Sequence, residues 1–225
     1  MATLPQLIDV FAKHDGRDHS TLTQFGRVTR ESGFIPGGKR GRGAPHMTSA
    51  NTATLLLGIY GSASPKDAPD TITRLSTLRP FDVSDDAGIP EALSEIGKAA
   101  TFGEALEEAI ISAPDLAVMC ADYVQQARNG KPLSDKSRNL LVAQAIEGRG
   151  VVRFRVEIAG LSAEMSLTSP WGKTHWKARY AVDDELFTGG FYSDPSKFDR
   201  RVSVTFGLPT LISLFECLTG FETTE

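Results

Sequence analysis

Three cationic side chains, Lys39, Arg40 and Arg42, fall within four consecutive positions of the stretch Gly37-Gly38-Lys39-Arg40-Gly41-Arg42-Gly43-Ala44-Pro45. Its four glycines free the backbone for φ > 0, so the stretch is a loop or hairpin rather than a helix interior. Cations on a backbone that can approach a duplex closely are suited to phosphate contacts. Immediately upstream, Thr23, Gln24, Arg27 and Arg30 fall largely on one face of a helix-like segment. Arginine can read guanine bidentately and glutamine can read adenine, so this face has the groups that direct base readout requires. His46 follows the loop and is a candidate phosphate neighbour, with an ordinary surface histidine as its alternative.

Other chemistries fit less well. Gly33-Phe34-Ile35-Pro36-Gly37-Gly38-Lys39 matches G-x-x-x-x-G-K, but Arg40 stands where a P-loop needs the hydroxyl that binds magnesium. The segment before it is amphipathic helix, whereas a P-loop follows a buried strand. Trp171-Gly172-Lys173-Thr174 lacks the upstream glycine and reads as a hairpin turn. The four histidines show no H-x-x-x-H or H-E-x-x-H spacing, and the two cysteines, Cys120 and Cys217, form no C-x-x-C. No zinc site is expected, and both cysteines read as free thiols in apolar surroundings. The carboxylate pairs Glu107-Glu108 and Asp183-Asp184 are adjacent in sequence and point to different sides of any regular element, which suits solvated faces. No nucleophile motif is present. The expectation is a binding protein that is not an enzyme, with no cofactor and no metal.

The elements that must position the basic residues follow from periodicity. Leu4, Leu7, Ile8, Val10 and Phe11 form one apolar stripe over a helix from Leu4 to His14. Asp15-Gly16-Arg17-Asp18 ends it. Ser20 is the expected N-cap of a second helix running to Glu31, with Leu22, Phe25, Val28 and Thr29 inward. Gly33 is a natural residue for its C-terminal cap. Thr48 or Ser49 caps a third helix with Thr52, Leu55, Leu56 and Ile59 inward, ending at Gly61. Ser64-Pro65 opens a fourth, with Ile72, Leu75 and Leu78 buried. Residues 79–90 read as a connector. Helices are expected over 91–100, 101–112, 114–128 and 135–147. At Val151 the period changes to two: Val152, Phe154, Val156 and Ile158 alternate with Arg153, Arg155 and Glu157. Further strands are expected around Met165 and Leu167, around Trp176, Ala178, Tyr180 and Val182, and around Val202, Val204 and Phe206. A last helix spans 209–218.

These elements give an α+β fold: an N-terminal winged-helix or helical domain (1–80), a helical middle (81–148), and a C-terminal antiparallel sheet with a closing helix (149–225). The net charge of −4 conceals an asymmetry, with 10 Lys and Arg against 6 Asp and Glu in residues 1–80, and 14 against 22 in the remainder. A basic N-terminal part on an acidic remainder fits a nucleic-acid module attached to something else. No apolar run approaches the ~20 residues that span a bilayer, and the N-terminus has no basic n-region followed by an apolar run. A cytoplasmic protein with no membrane partner is expected. On the sheet, Trp171, Trp176 and Tyr180 with Arg153, Arg155 and Arg179 admit a single-stranded nucleic-acid face, a core of aromatics with a solvated basic face, or a domain for dimerisation or protein binding.

The order helix, helix, basic glycine-rich loop, helix resembles the winged helix-turn-helix of the MerR and excisionase group. In that group a recognition helix runs into an Arg/Glu-x-x-Gly-aliphatic-aliphatic-Pro segment, followed by a basic wing and a helix opening with Ser or Thr. The corresponding residues are Arg30-Glu31-Ser32-Gly33-Phe34-Ile35-Pro36, then 37–45, then Thr48-Ser49. The first turn, residues 15–19, is longer than in that group, and the wing is glycine-rich where the group has an aromatic-bearing hairpin. The same order is similar to uncharacterised proteins of alphaproteobacterial prophages and mobile elements. The resemblance implies double-stranded DNA as partner, a recognition helix over 21–31, a wing over 37–45, and a homo-oligomer, with a dimer favoured. A transcription regulator is the first expectation. The alternatives are a DNA-binding component of phage packaging or mobile-element machinery, and a protein–protein adaptor without DNA binding.

Overall fold

The stripe at the N-terminus folds as α1 (Leu4–His14), burying Leu7, Ile8, Val10 and Phe11. At its start the Gln6 side chain accepts from the Thr3 N–H at 2.8 Å. These contacts come from a computed structural model that describes residues 2–38, 44–84, 89–127, 132–170, 173–182 and 203–221. Lys39, Arg40 and Arg42, together with Asp183, Asp184, Trp171 and Val202, lie outside the described residues.

The second helix, α2 (His19–Glu31), begins earlier than the sequence suggests. Its N-cap is Asp18 rather than Ser20. The Asp18 carboxylate accepts from the Thr21 N–H at 2.9 Å and from the hydroxyls of Ser20 at 2.5 Å and Thr21 at 2.7 Å. A charged acceptor outcompetes the Ser20 hydroxyl, which becomes its donor. Gly33 ends α2 at φ +80°. The N–H of Gly33 donates to the Arg30 carbonyl and that of Phe34 to the Thr29 carbonyl, the paired bonds of a Schellman motif.

After the basic stretch comes α3 (Ser49–Gly61), where Thr48 accepts from the Asn51 N–H and Asn51 reciprocates. It is buried almost all round: besides the four expected inward positions, Ala53, Leu57, Gly58 and Tyr60 are also covered. Helices α2, α4 and α6 and strand β2 surround it. A single 3-10 turn at Pro65–Asp67 precedes α4 (Ala68–Ser76), and Ile72, Leu75 and Leu78 are buried as expected.

The expected connector at 79–90 contains a strand, β1 (Arg79–Val83). It lies at a sheet edge, where Pro80 forfeits no ladder bond on the open side. A register shift falls between Pro80 and Asp82. Helices α5 (Glu91–Lys98), α6 (Phe102–Ile111), α7 (Ala113–Ala127) and α8 (Asp135–Ile146) follow. Then come β2 (Arg153–Ala159), β3 (Ser162–Thr168), β4 (Thr174–Ala181), β5 (Val204–Gly207) and α9 (Leu208–Thr219).

The chain is therefore α+β, with nine α-helices among the described residues and a five-stranded antiparallel sheet in the order β1-β4-β3-β2-β5. One sheet face is apolar: Phe154, Val156, Ile158, Met165, Leu167, Ala178, Trp176 and Tyr180 are buried. Helices α3, α7 and α9 pack on β2. The other face is polar, with Arg179 opposite Glu164 in register and bonded to it at 2.7 Å. Asp82 accepts from Lys177 at 2.6 Å and lies 3.4 Å from Arg179. Helix α9 also contacts α1, α6 and α8, and one contiguous apolar cluster draws residues from 1–80, 81–148 and 149–225. Among the described residues no helix is long and apolar enough to cross a membrane.

Candidate nucleic-acid interface

The outward face of α2 exists because the apolar positions of His19–Glu31 are spent inward on Leu22, Phe25 and Gly26, with Thr29 bonding back to the Phe25 carbonyl at 2.8 Å. Thr23, Gln24 and Arg27 are exposed and Arg30 is half-buried. Arg27 Nε donates to Glu31 Oε1 at 2.8 Å, one turn along the same helix, with both side chains more than half exposed. Such a pair contributes only about 0.3–0.5 kcal/mol, so a phosphate or a base edge can displace Glu31 at small cost. Thr23 donates its hydroxyl to the His19 carbonyl at 2.8 Å, which orients its side chain along the helix.

Thr23, Arg27 and Arg30 converge on one cleft of about 490 Å³, between α1, α2 and the segment that returns from the basic stretch. Its apolar lining includes Leu4, Pro5, Ile8 and Met47; His19 joins the polar side. The returning segment is fixed by an antiparallel bridge between Ala2 and Met47, with the Met47 N–H donating to the Ala2 carbonyl at 2.9 Å. His46, beside that bridge, is exposed. The basic stretch thus leaves from Gly33 at the end of α2 and returns at Met47 beside the start of α1. Beneath the cleft α1 and α2 approach closely at Gly26, where a Cβ would come within 3.2 Å of the tips of Leu4 and Ile8.

His19 is a lining residue that sequence reasoning missed. With Asp18 as the cap, His19 enters the helix and shares a face with Thr23, Arg27 and Arg30, at offsets of four, eight and eleven; the choice of Ser20 as cap hid this. His19 Nε2 lies 2.9 Å from Asp9 of α1. The apolar floor was also not anticipated, since Leu4 and Ile8 read as ordinary core positions.

The long first turn, 15–19, has a structural reason. The Arg17 side chain pairs with Asp15 through two bonds, Nε to Oδ1 at 2.9 Å and Nη2 to Oδ2 at 2.6 Å. Arg17 also donates to the Ile59 carbonyl at 2.7 Å and lies 4.7 Å over the Phe25 ring. It thereby ties the start of α2 to the end of α3. Burial pushes the Asp15 carboxyl up, but hydrogen bonds from Arg17 and its charge outweigh this and hold it below the usual carboxylate range.

Elsewhere the alternatives narrow. Trp176 and Tyr180 are 1% and 0% exposed, so they are core and have no face on which a base could stack. Arg179 on the opposite sheet face is engaged by carboxylates. Burial pushes the Cys120 thiol up to about 12 and raises Cys217 as well, which makes both poor nucleophiles. Among the described residues no group of three or more His, Cys, Asp or Glu could hold a metal ion. Gly33 caps a helix instead of following a strand, so the P-loop geometry is absent there, and Lys173 sits in the β3–β4 turn, its carbonyl accepting from Ser169. A second cleft, between α5, α6 and α7, is acidic, with Glu91, Glu95, Glu108, Asp115 and Asp122 on its walls. Its charge would repel nucleic acid. No family model, no curated protein and no solved structure matches the chain.

Proposed function

We infer that the protein binds double-stranded DNA and acts in the cytoplasm as a transcription regulator, as a binding protein and not an enzyme. In this reading α2 enters the major groove, and Thr23, Gln24, Arg27 and Arg30 face base edges and flanking phosphates. The basic stretch 37–45, with Lys39, Arg40 and Arg42, reaches the adjacent backbone as a wing, and His46 adds a neighbouring donor. One observation carries the proposal: the polar face of α2 and both anchored ends of the cationic stretch, at Gly33 and at the Ala2–Met47 bridge, lie on the same side of the molecule's N-terminal helices. Regulation is the finer part of the proposal and rests on the layout of helices around the basic stretch; the same surface would serve a DNA-packaging component.

The apolar floor of the cleft favours a second reading, an adaptor that takes an apolar side chain of an acidic peptide between Leu4, Ile8 and Met47 with Arg27 and Arg30 at the rim. Titration of a random-sequence duplex by mobility shift at several salt concentrations separates the two. A DNA reader gives a steep negative slope of log K against log salt; an adaptor gives no shift at any salt concentration.

A further inference from the structure

Helix α8 carries little of its apolar surface inward. Of its twelve residues only Ala145 is buried, and Leu140 is 60% exposed. Its inner side, Arg138, Val142 and Ala145, packs on α7 and α9, with Arg138 Nη2 3.0 Å from Asp122 Oδ1 of α7. At 100° per residue the opposite side is a stripe of Lys136, Leu140, Ala143 and Glu147, all four exposed. That stripe is self-complementary when reversed about its midpoint, between residues 141 and 142. Reversal sets Lys136 against Glu147, Leu140 against Ala143, Ala143 against Leu140 and Glu147 against Lys136.

The geometry points to α8 as a self-association surface, on which a second copy of this chain packs its own α8 antiparallel across a two-fold axis. A two-fold interface requires the same patch on both partners to complement itself, and this stripe does so in size and in charge. The large Leu140 of one copy sits beside the small Ala143 of the other, and an ion pair Lys136–Glu147 closes each end. Within one chain Glu147 also pairs with Arg149, which lies just beyond the stripe and leaves the second carboxylate oxygen for Lys136 of the partner copy. One short helix per copy makes a small interface, at the low end for specific complexes, so dimerisation in the micromolar range is expected. The inference does not depend on DNA binding by α2, although a dimer is what a reader of paired half-sites requires.

Sedimentation or light scattering on the full chain, without DNA, from about 1 to 300 µM tests it. The wild type should pass from monomer to dimer across that range. Leu140→Glu should remain monomeric at every concentration with unchanged circular dichroism, since the side chain is exposed. Lys136→Glu and Glu147→Lys should each weaken the dimer at least tenfold by setting like charges together. The two single variants mixed, and the double variant alone, should each recover the dimer because opposite charges face again. A wild-type chain monomeric throughout, or charge variants without recovery, would overturn the assignment. Sedimentation without DNA reads α8 alone and duplex titration of the wild type reads the α2 surface, so failure of one proposal is distinguishable from failure of the other.

Discussion

Replacing Arg17 by methionine tests whether the turn before α2 positions that helix through an ion pair that is largely removed from water. Asp15 is 7% exposed and Arg17 28% exposed, and Arg17 makes two bonds to the carboxylate and one at 2.7 Å to the Ile59 carbonyl. Losing one partner of a buried pair costs about 3–5 kcal/mol; discounting for the water that reaches Arg17 gives about 2–4 kcal/mol. That lowers the melting temperature by about 5–15 °C for a chain of this size. The sign with pH follows from the carboxyl of Asp15. In the wild type its folded pKa is depressed, so its contribution is present above the unfolded value of about 3.9 and is lost as pH falls through the folded value. In the variant the backbone N–H of residue 17 still donates to the Asp15 carboxylate, but the guanidinium's bonds and charge are gone, so desolvation meets less opposition and the folded pKa rises. The stability gap between wild type and Arg17→Met is therefore largest near pH 7 and shrinks toward pH 4. Urea unfolding at pH 7, 5 and 4 measures it, with Asp15→Asn/Arg17→Met expected to recover part of the loss at pH 7. A gap below about 0.5 kcal/mol, or one constant with pH, would refute the positioning role of Arg17.

Two other substitutions probe different parts of the account. Gly61→Ala adds a Cβ 2.5 Å from Leu75 Cδ1 and 2.7 Å from Thr71 Cγ2; the helix-propensity gain of about 1 kcal/mol is exceeded by overpacking of about 1–3 kcal/mol, so thermal unfolding should show net destabilisation, and a stabilised variant would contradict the close α3–α4 contact. Arg27→Ala and Arg30→Ala should each weaken binding at a preferred duplex by about 1–3 kcal/mol if they contact base edges; equal losses on all sequences, measured by competition, would make them phosphate contacts.

The parts of the fold encoded by local rules were legible. Gly33 at the end of an amphipathic run, a hydroxyl cap at Thr48 or Ser49, and the alternation from Val152 to Ile158 each state their conformation within a few residues. What was hidden depends on partners distant in sequence. Strand β1 looks like a connector because Pro80 and Asp82 are turn residues; it is a strand because β4 supplies its ladder and Lys177 and Arg179 bind Asp82. The burial of α3 leaves no single stripe to read, since Ala53, Leu57, Gly58 and Tyr60 are covered as well as the expected inward positions. The polar half of the candidate site was visible as the spacing of Thr23, Arg27 and Arg30, whereas Met47 joins Leu4 and Ile8 on its apolar floor through the bridge to Ala2, a pairing that no periodicity encodes.

The central claim is that the cationic stretch contacts the phosphates of a duplex, and the salt dependence of binding tests it most directly. Each phosphate neutralised contributes about 0.9 to the slope of log K against log salt. Replacing Lys39, Arg40 and Arg42 together by alanine should therefore flatten the slope by about 2–3 units, with the fold intact by circular dichroism. A slope that the triple replacement leaves unchanged would contradict the account.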